Sequence, residues 1–203
     1  MSTDKGKTAT KTASFVVSTS GGGGGGSFED GWTGEALGAT SAAIRTDGTL
    51  KYAYAAGNYT VNGVAFSASS GLINTADCVV WEATTGAQSA TPTPPSGIDD
   101  VDYKNMLGHC WWANPKGRKI QLNNLESGKQ YLVQIIAFNQ TYTTQSATAP
   151  DGTTTVKFGG TGWEYGSSLV GIFTASGASQ EFTIDYAGQA CINAIQVREL
   201  PAE

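Results

Sequence analysis

The sequence predicts an all-β protein, a β-sandwich of the jelly-roll type with an extended N-terminal arm. About eight to ten short segments are apolar or alternate apolar with polar residues, and clusters of Gly, Pro, Asn and Asp separate them. No stretch of about ten or more residues holds the apolar spacing of a helix. The chain also lacks internal repeats of about 20–50 residues, which argues against solenoids and propellers.

The predicted strands follow one another along the chain. Residues 50–56 (LKYAYAA) alternate, and residues 58–66 (NYTVNGVAF) predict a hairpin because Asn62-Gly63 tolerates the positive φ of a tight turn. Residues 78–82 (CVVWE) predict a short buried strand. A Pro-rich loop at 90–97 precedes one predicted helical turn at 101–107. The remaining predicted strands are 118–122, 130–139, 153–158, 169–174, 181–186 and 191–199.

Length and charge limit the domain count and the kinds of partner. The 203 residues suit one large all-β domain or two small ones, and 39% apolar residues can fill a core. The net charge is −5, with 12 Lys and Arg against 17 Asp and Glu, which argues against a nucleic acid partner. No apolar run approaches the about 18 residues of a membrane span, so we expect no transmembrane segment.

Three regions are predicted: an arm at 1–20, a glycine hinge at 21–26 and a single β-sandwich domain at 27–203. The arm is polar except for Phe15, Val16 and Val17, and six consecutive glycines form a flexible tether behind it. Such a layout allows the arm to donate a strand to the sheet edge of a neighbouring protomer. Strand donation would make the protein a homo-oligomer or a self-assembling subunit of a filament or surface layer. The alternative is a disordered tail.

Five sequence motifs, in this order, carry a family resemblance. They are TDGTLKYAY at 46–54, TVNGVAF at 60–66, IQLNNLESGKQYLVQ at 120–134, GIFTA at 171–175 and INAIQVR at 192–198. Together they resemble a galactose-binding-like jelly-roll module of surface and secreted proteins from planctomycete- and verrucomicrobia-type bacteria. The resemblance implies a non-catalytic module that binds carbohydrate or adheres at the cell surface, often with a structural Ca²⁺. It implies an extracellular or cell-surface location, although the first residues hold no secretory leader and leave the export route open.

The sequence holds no catalytic constellation that we recognise. The one histidine, His109, neighbours Cys110, but adjacent residues of a strand point to opposite faces, so they do not predict a nucleophile–base pair. A Walker A loop, a nucleophile elbow, an HExxH helix and a dinucleotide-binding fingerprint are all missing from the sequence. We therefore expect a protein that is not an enzyme.

Three carboxylates at Asp99, Asp100 and Asp102 follow the Pro-rich loop. Hard oxygen ligands clustered on a loop are what Ca²⁺ prefers, with backbone carbonyls completing the six to eight ligands. These residues therefore make a candidate calcium site, and the alternative is a solvated acidic turn.

Aromatic residues near loops make a candidate glycan site. An aromatic ring can stack on the C–H face of a pyranose, while amides and carboxylates bond its hydroxyls. One of the adjacent residues Trp111 and Trp112 should face the core, which leaves the other as a candidate. The predicted ligand-binding residues are Trp163, Tyr165, Glu164, Trp112, Asn114 and Tyr142. The alternative is that these aromatics fill the core or contact a partner.

Three cysteines, Cys78, Cys110 and Cys191, allow at most one intrachain disulfide and leave at least one thiol. Their spacing fits no zinc or redox motif. The alternative is that all three are small buried residues.

Overall fold

The computed structural model describes residues 31–69, 73–81, 88–113 and 118–202. Its helices are α1 (Val101–Leu107) and two 3-10 turns, Ser41–Ala43 and Gln140–Tyr142. Its strands are β1 (Trp32–Ala36), β2 (Thr49–Ala55), β3 (Tyr59–Val61), β4 (Val64–Ala68), β5 (Cys78–Trp81), β6 (Gln88–Ala90), β7 (Cys110–Ala113), β8 (Arg118–Asn123), β9 (Gln130–Ala137), β10 (Ser146–Thr148), β11 (Thr155–Lys157), β12 (Ser167–Thr174), β13 (Ser179–Ala187), β14 (Ala190–Ile192) and β15 (Ala194–Glu199).

The strands form two larger sheets and one small one. The seven-stranded sheet has the order β1-β12-β9-β15-β2-β4-β3, and the five-stranded sheet has the order β11-β10-β13-β8-β5. The small sheet has the order β14-β7-β6. Paired strands are antiparallel except β2 and β4, which are parallel. The all-β sandwich predicted from the sequence is confirmed.

The main core lies between the two larger sheets. Tyr131 and Phe173 of the seven-stranded sheet belong to one buried cluster with Ile120 and Phe182 of the five-stranded sheet. In β13 buried and exposed residues alternate along the whole strand. This period of two is expected for an antiparallel strand with one face on a core and the other in solvent.

A second core covers the opposite face of the seven-stranded sheet. Tyr103, Met106 and Leu107 of α1 pack there with Ile136 and Phe138. Strand β9 is therefore buried on both faces, which explains why its sequence is almost continuously apolar rather than alternating.

Two predicted elements have the predicted form. Asn62 and Gly63 have φ values of 48° and 74° and join β3 to β4 in an antiparallel hairpin. Residues 101–107 form α1, where Asp100 is the N-cap and accepts a hydrogen bond from Tyr103 N at 2.9 Å. The prediction of a single strand at 191–199 is wrong, because Asn193 separates β14 from β15.

Asn193 joins the two cores at this break. Its Nδ2 donates to Leu107 O at 2.9 Å and to His109 O at 2.7 Å, so it satisfies carbonyl groups at the C-terminal end of α1. Its Oδ1 accepts from Phe138 N at 2.6 Å, just beyond β9. One buried amide thereby fastens the helix to the centre of the larger sheet.

A polar strap, residues 43–48, covers another part of this face. Gln134 Nε2 donates to Ala43 O at 2.8 Å, and Gln196 Nε2 donates to Arg45 O at 3.0 Å. Arg198 Nε donates to Asp47 O at 2.6 Å. The buried polar side chains of the sheet therefore bond the backbone of the strap, as buried polar groups require.

Acid is expected to weaken the fold at the end of the strap. A hydrogen bond from the Arg45 guanidinium, at 2.6 Å, holds the pKa of Asp47 below its usual value, although burial opposes this effect. A carboxyl whose pKa is lower in the folded state stabilises the fold above its unfolded pKa of about 3.9, and this contribution is lost as the pH falls through the folded value. We expect the free energy of unfolding to decrease below about pH 4.

Urea unfolding at a series of pH values tests this expectation. Asp47→Asn is expected to depend less steeply on pH than the wild type below about pH 4. Arg45→Gln, which removes the partner and keeps the carboxyl, should flatten the same part of the curve. Equal slopes in all three proteins would contradict the assignment.

Candidate ligand-binding end of the sandwich

Three segments meet at one end of the sandwich, and we call residues 91–97, 139–145 and 158–166 together the loop end. Asn139 N donates to Phe158 O at 3.0 Å, and Thr93 N donates to Gln140 Oε1 at 2.9 Å. Tyr165 Oη donates to Ser96 O at 3.5 Å. Each segment is therefore bonded to another, although they lie far apart in the sequence.

Glycines shape the segment 158–166. Gly160, Gly162 and Gly166 all have positive φ. A Cβ on Gly166 would overlap the carbonyl oxygen of Ala137, so only glycine fits this approach to the end of β9. Two turns follow each other, with Trp163 N bonded to Gly160 O at 2.8 Å and Gly166 N to Trp163 O at 2.9 Å. The indole of Trp163 is thus presented by a backbone with internal hydrogen bonds.

Glu164 is exposed between these turns. Its Oε1 accepts a hydrogen bond from Gly162 N at 3.0 Å. Backbone N–H groups, that of Gly162 first, lower the pKa of the Glu164 carboxyl. The carboxylate is therefore ionised at neutral pH and is oriented by the loop that carries it.

The three half-buried aromatic residues of the loop end do not pack against the same core. Trp163 and Tyr142 are half-buried and pack against the main core. Tyr165 is also half-buried but packs against the second core, on the opposite face of the seven-stranded sheet. The structure therefore brings Trp163 and Tyr142 to the same core and places Tyr165 apart from them.

The two adjacent tryptophans lie in β7. Trp111 is buried, with 7% of its surface exposed, and Trp112 is half-buried. Trp112 is paired across the small sheet with Cys191 and lies outside the three segments of the loop end. Asn114, the remaining predicted ligand residue, lies outside the described residues.

The three aspartates of the predicted calcium site have different environments. Asp100 caps α1, and Asp102 Oδ2 accepts a hydrogen bond from Thr60 N, on the outer edge of β3, at 2.7 Å. Asp99 is exposed. Within the described ranges no group of three or more His, Cys, Asp or Glu residues is arranged to hold a metal ion. Two of the carboxylates therefore have roles in the fold, and the calcium site stays a prediction.

His109 and Cys110 have separate partners. His109 Nδ1 and Tyr59 Oη are 2.8 Å apart, whereas Cys110 Sγ accepts from Asn139 Nδ2 at 3.7 Å. The two side chains therefore extend into different surroundings, as strand alternation predicts.

Sequence reasoning missed the residues that hold the loop end together. Gln140 bonds a residue about 50 positions away in the chain, and Asn139 bonds residues about 20–30 positions away. Local sequence patterns do not predict such contacts. The only signal was compositional, because glycines and amides are concentrated in these segments.

None of the described helices is both long and apolar enough to cross a membrane. The chain matches no protein-family model, no curated protein and no solved structure. The resemblance to a galactose-binding-like module therefore stays a prediction that rests on the motifs alone.

Proposed function

We propose that the protein is a non-enzymatic β-sandwich module that binds a glycan outside the cell, with the ligand at the loop end beside Trp163 and Tyr142. The observation that carries the proposal is the half-buried indole of Trp163, which the main core supports from behind and a hydrogen-bonded, glycine-rich loop holds in place. An aromatic ring fixed in this way is a stacking platform for the C–H face of a sugar.

Polar groups in the two segments that carry these rings suit the hydroxyls of a sugar. Glu164 offers an oriented carboxylate, and Thr141, Thr143 and Thr144 are exposed in the neighbouring segment. Hydroxyl and carboxylate groups that converge on an apolar ring are typical of small-ligand sites. The interlocking bonds between the three segments reduce the ordering cost of binding, which favours affinity.

Charge narrows the class of glycan. The protein has a net charge of −5, and the residue that follows Trp163 in the sequence is the negatively charged Glu164. Because like charges disfavour association, we expect neutral glycans to be preferred over sulfated or uronic acid polymers.

Trp163→Ala is expected to weaken glycan binding about 10- to 100-fold, which corresponds to about 1.4–2.7 kcal/mol. The reason is the loss of the stacking surface while the polar groups remain. A glycan array with the full-length protein would identify a ligand, and isothermal titration calorimetry would measure both proteins.

Val101→Ala is the control, because Val101 is an apolar side chain on α1, 68% exposed and outside the three segments of the loop end. We expect its affinity to equal that of the wild type. Unchanged affinity in Trp163→Ala would refute the site, whereas failure of the wild type to bind any glycan would refute the function.

Assembly through the arm is the alternative function, and Phe15, Val16 and Val17 lie outside the described residues. Both edges of the seven-stranded sheet have side-chain partners: Thr60 N on β3 bonds Asp102, and Trp32 O on β1 accepts from Thr154 Oγ1 at 3.0 Å. Such coverage discourages strand addition at these two edges. Light scattering of the full-length protein separates the two functions. A mass near 21.0 kDa supports the binding module, and a larger assembly that dissociates when residues 1–20 are deleted supports the alternative.

A further inference from the structure

Cys110 and Cys191 are neighbours on one face of the small sheet. The register pairs Cys191 with Trp112, and Cys110 lies two residues from Trp112 along β7, so the two cysteines form a diagonal cross-strand pair. Both are fully buried free thiols, and the Cys191 thiol donates to Phe138 O at 3.4 Å. Cys78 is buried in β5 of the five-stranded sheet.

We propose that Cys110 and Cys191 form a disulfide when the chain folds under oxidising conditions, while Cys78 stays a thiol. One protein thiolate attacks a low-molecular-weight disulfide such as oxidised glutathione, forms a mixed disulfide and releases one glutathione thiol. The second protein thiolate then attacks the sulfur of the first cysteine and releases the other glutathione. The two protein thiols lose two protons and two electrons, and one oxidised glutathione becomes two reduced molecules.

The diagonal arrangement of the two cysteines predicts a strained disulfide. Diagonal neighbours in an antiparallel pair have Cα atoms about 7–8 Å apart, whereas disulfides span about 4.4–6.8 Å. β7 and β14 must therefore shift towards each other when the bond forms. A bond under such strain is more easily reduced than an ordinary structural disulfide, which makes the pair responsive to redox conditions.

Burial determines when the bond can form. Desolvation raises the pKa of the Cys191 thiol, and only the thiolate is nucleophilic. Glutathione therefore reacts before the small sheet has formed or when it opens locally. We expect fast oxidation during refolding and slow oxidation of the folded protein.

The pair lies beneath the segment 139–145. Asn139 Nδ2 donates to Cys110 Sγ, and Asn139 Oδ1 accepts from Thr141 N at 3.0 Å. Oxidation changes the sulfur acceptor that holds Asn139, so it alters the support of this segment. The proposal does not depend on what the loop end binds.

Refolding followed by disulfide mapping tests the proposal. Full-length wild type and Cys78→Ala are unfolded with dithiothreitol, refolded in mixed oxidised and reduced glutathione or in dithiothreitol, alkylated, digested and analysed by mass spectrometry. We expect the glutathione samples of both proteins to lose two alkylation sites and to yield a peptide that links Cys110 to Cys191. Dithiothreitol should restore both sites.

The double variant Cys78→Ala, Cys191→Ala is the matched control and should contain no intrachain disulfide. A link that involves Cys78 would overturn the proposal, as would free Cys110 and Cys191 thiols in the wild type refolded across the full range of glutathione ratios. Mapping of the wild type decides the question even where a variant fails to fold.

Discussion

Asn193→Leu is expected to lower the free energy of unfolding by roughly 3–5 kcal/mol, because the substitution leaves several buried polar groups without partners at once. The Asn193 amide donates to Leu107 O and His109 O and accepts from Phe138 N. Leucine has the same branched arrangement of heavy atoms but bonds none of these groups. Since each buried group without a partner costs about 1–3 kcal/mol, the sum exceeds the effect of a usual substitution.

Urea unfolding at neutral pH measures the effect. Asn58→Ala is a suitable control, because Asn58 is exposed and its Oδ1 accepts a hydrogen bond from Ala68 N at 2.9 Å. This control is expected to cost about 1 kcal/mol or less. If Asn193→Leu costs no more than Asn58→Ala, the amide does not fasten α1 to the sheet.

The hairpin and helix α1 could be predicted because their signals are local. Asn62 and Gly63 specify the turn because both residues tolerate positive φ values. Asp100 specifies the start of α1 because its side chain caps the helix by accepting a hydrogen bond from Tyr103 N. β13 could be predicted because one of its faces is buried and the other is exposed. Its sequence therefore alternates between apolar and polar residues.

The break at Asn193 could not be predicted, because the partners of its side chain are 55 to 87 residues away. Within an apolar run, Asn193 has no local feature that distinguishes a structural amide from a surface one. β1 was missed for a similar reason. Only Trp32 of its five residues is buried, so the strand has no periodicity to read.

The sequence groups Trp163 and Tyr165 in one predicted ligand site, and both lie in the glycine-rich segment that joins β11 to β12. The loop crosses the end of the seven-stranded sheet at Gly166, so these rings pack against different cores. Which face a loop residue meets depends on the sheet beneath it, and that sheet is assembled from distant strands.

Trp32→Ala is expected to lower the free energy of unfolding by about 3–5 kcal/mol, as for other large-to-small changes at buried aromatic positions. Trp32 is 6% exposed and comes from the edge strand β1, yet its ring meets Phe182 of the opposite sheet edge-on at a centroid distance of 5.3 Å. The indole also lies over Gly171 of β12. Trp32 therefore packs both against the neighbouring strand β12 and against the opposite sheet. Thermal or urea unfolding of Trp32→Ala would measure the loss of stability.

Gly171 makes this assignment testable by a double-mutant cycle. A Cβ at Gly171 would lie 2.9 Å from the indole of Trp32, so Gly171→Ala is expected to cost about 1–3 kcal/mol in the wild type through overpacking. In the Trp32→Ala background the ring is gone, so the same alanine should cost much less and the two effects should not add. Gly177→Ala is the control, because a Cβ there meets nothing within 4 Å. Additive effects of Trp32→Ala and Gly171→Ala would show that the ring does not rest on the glycine, and β1 would then depend mainly on its backbone pairing with β12.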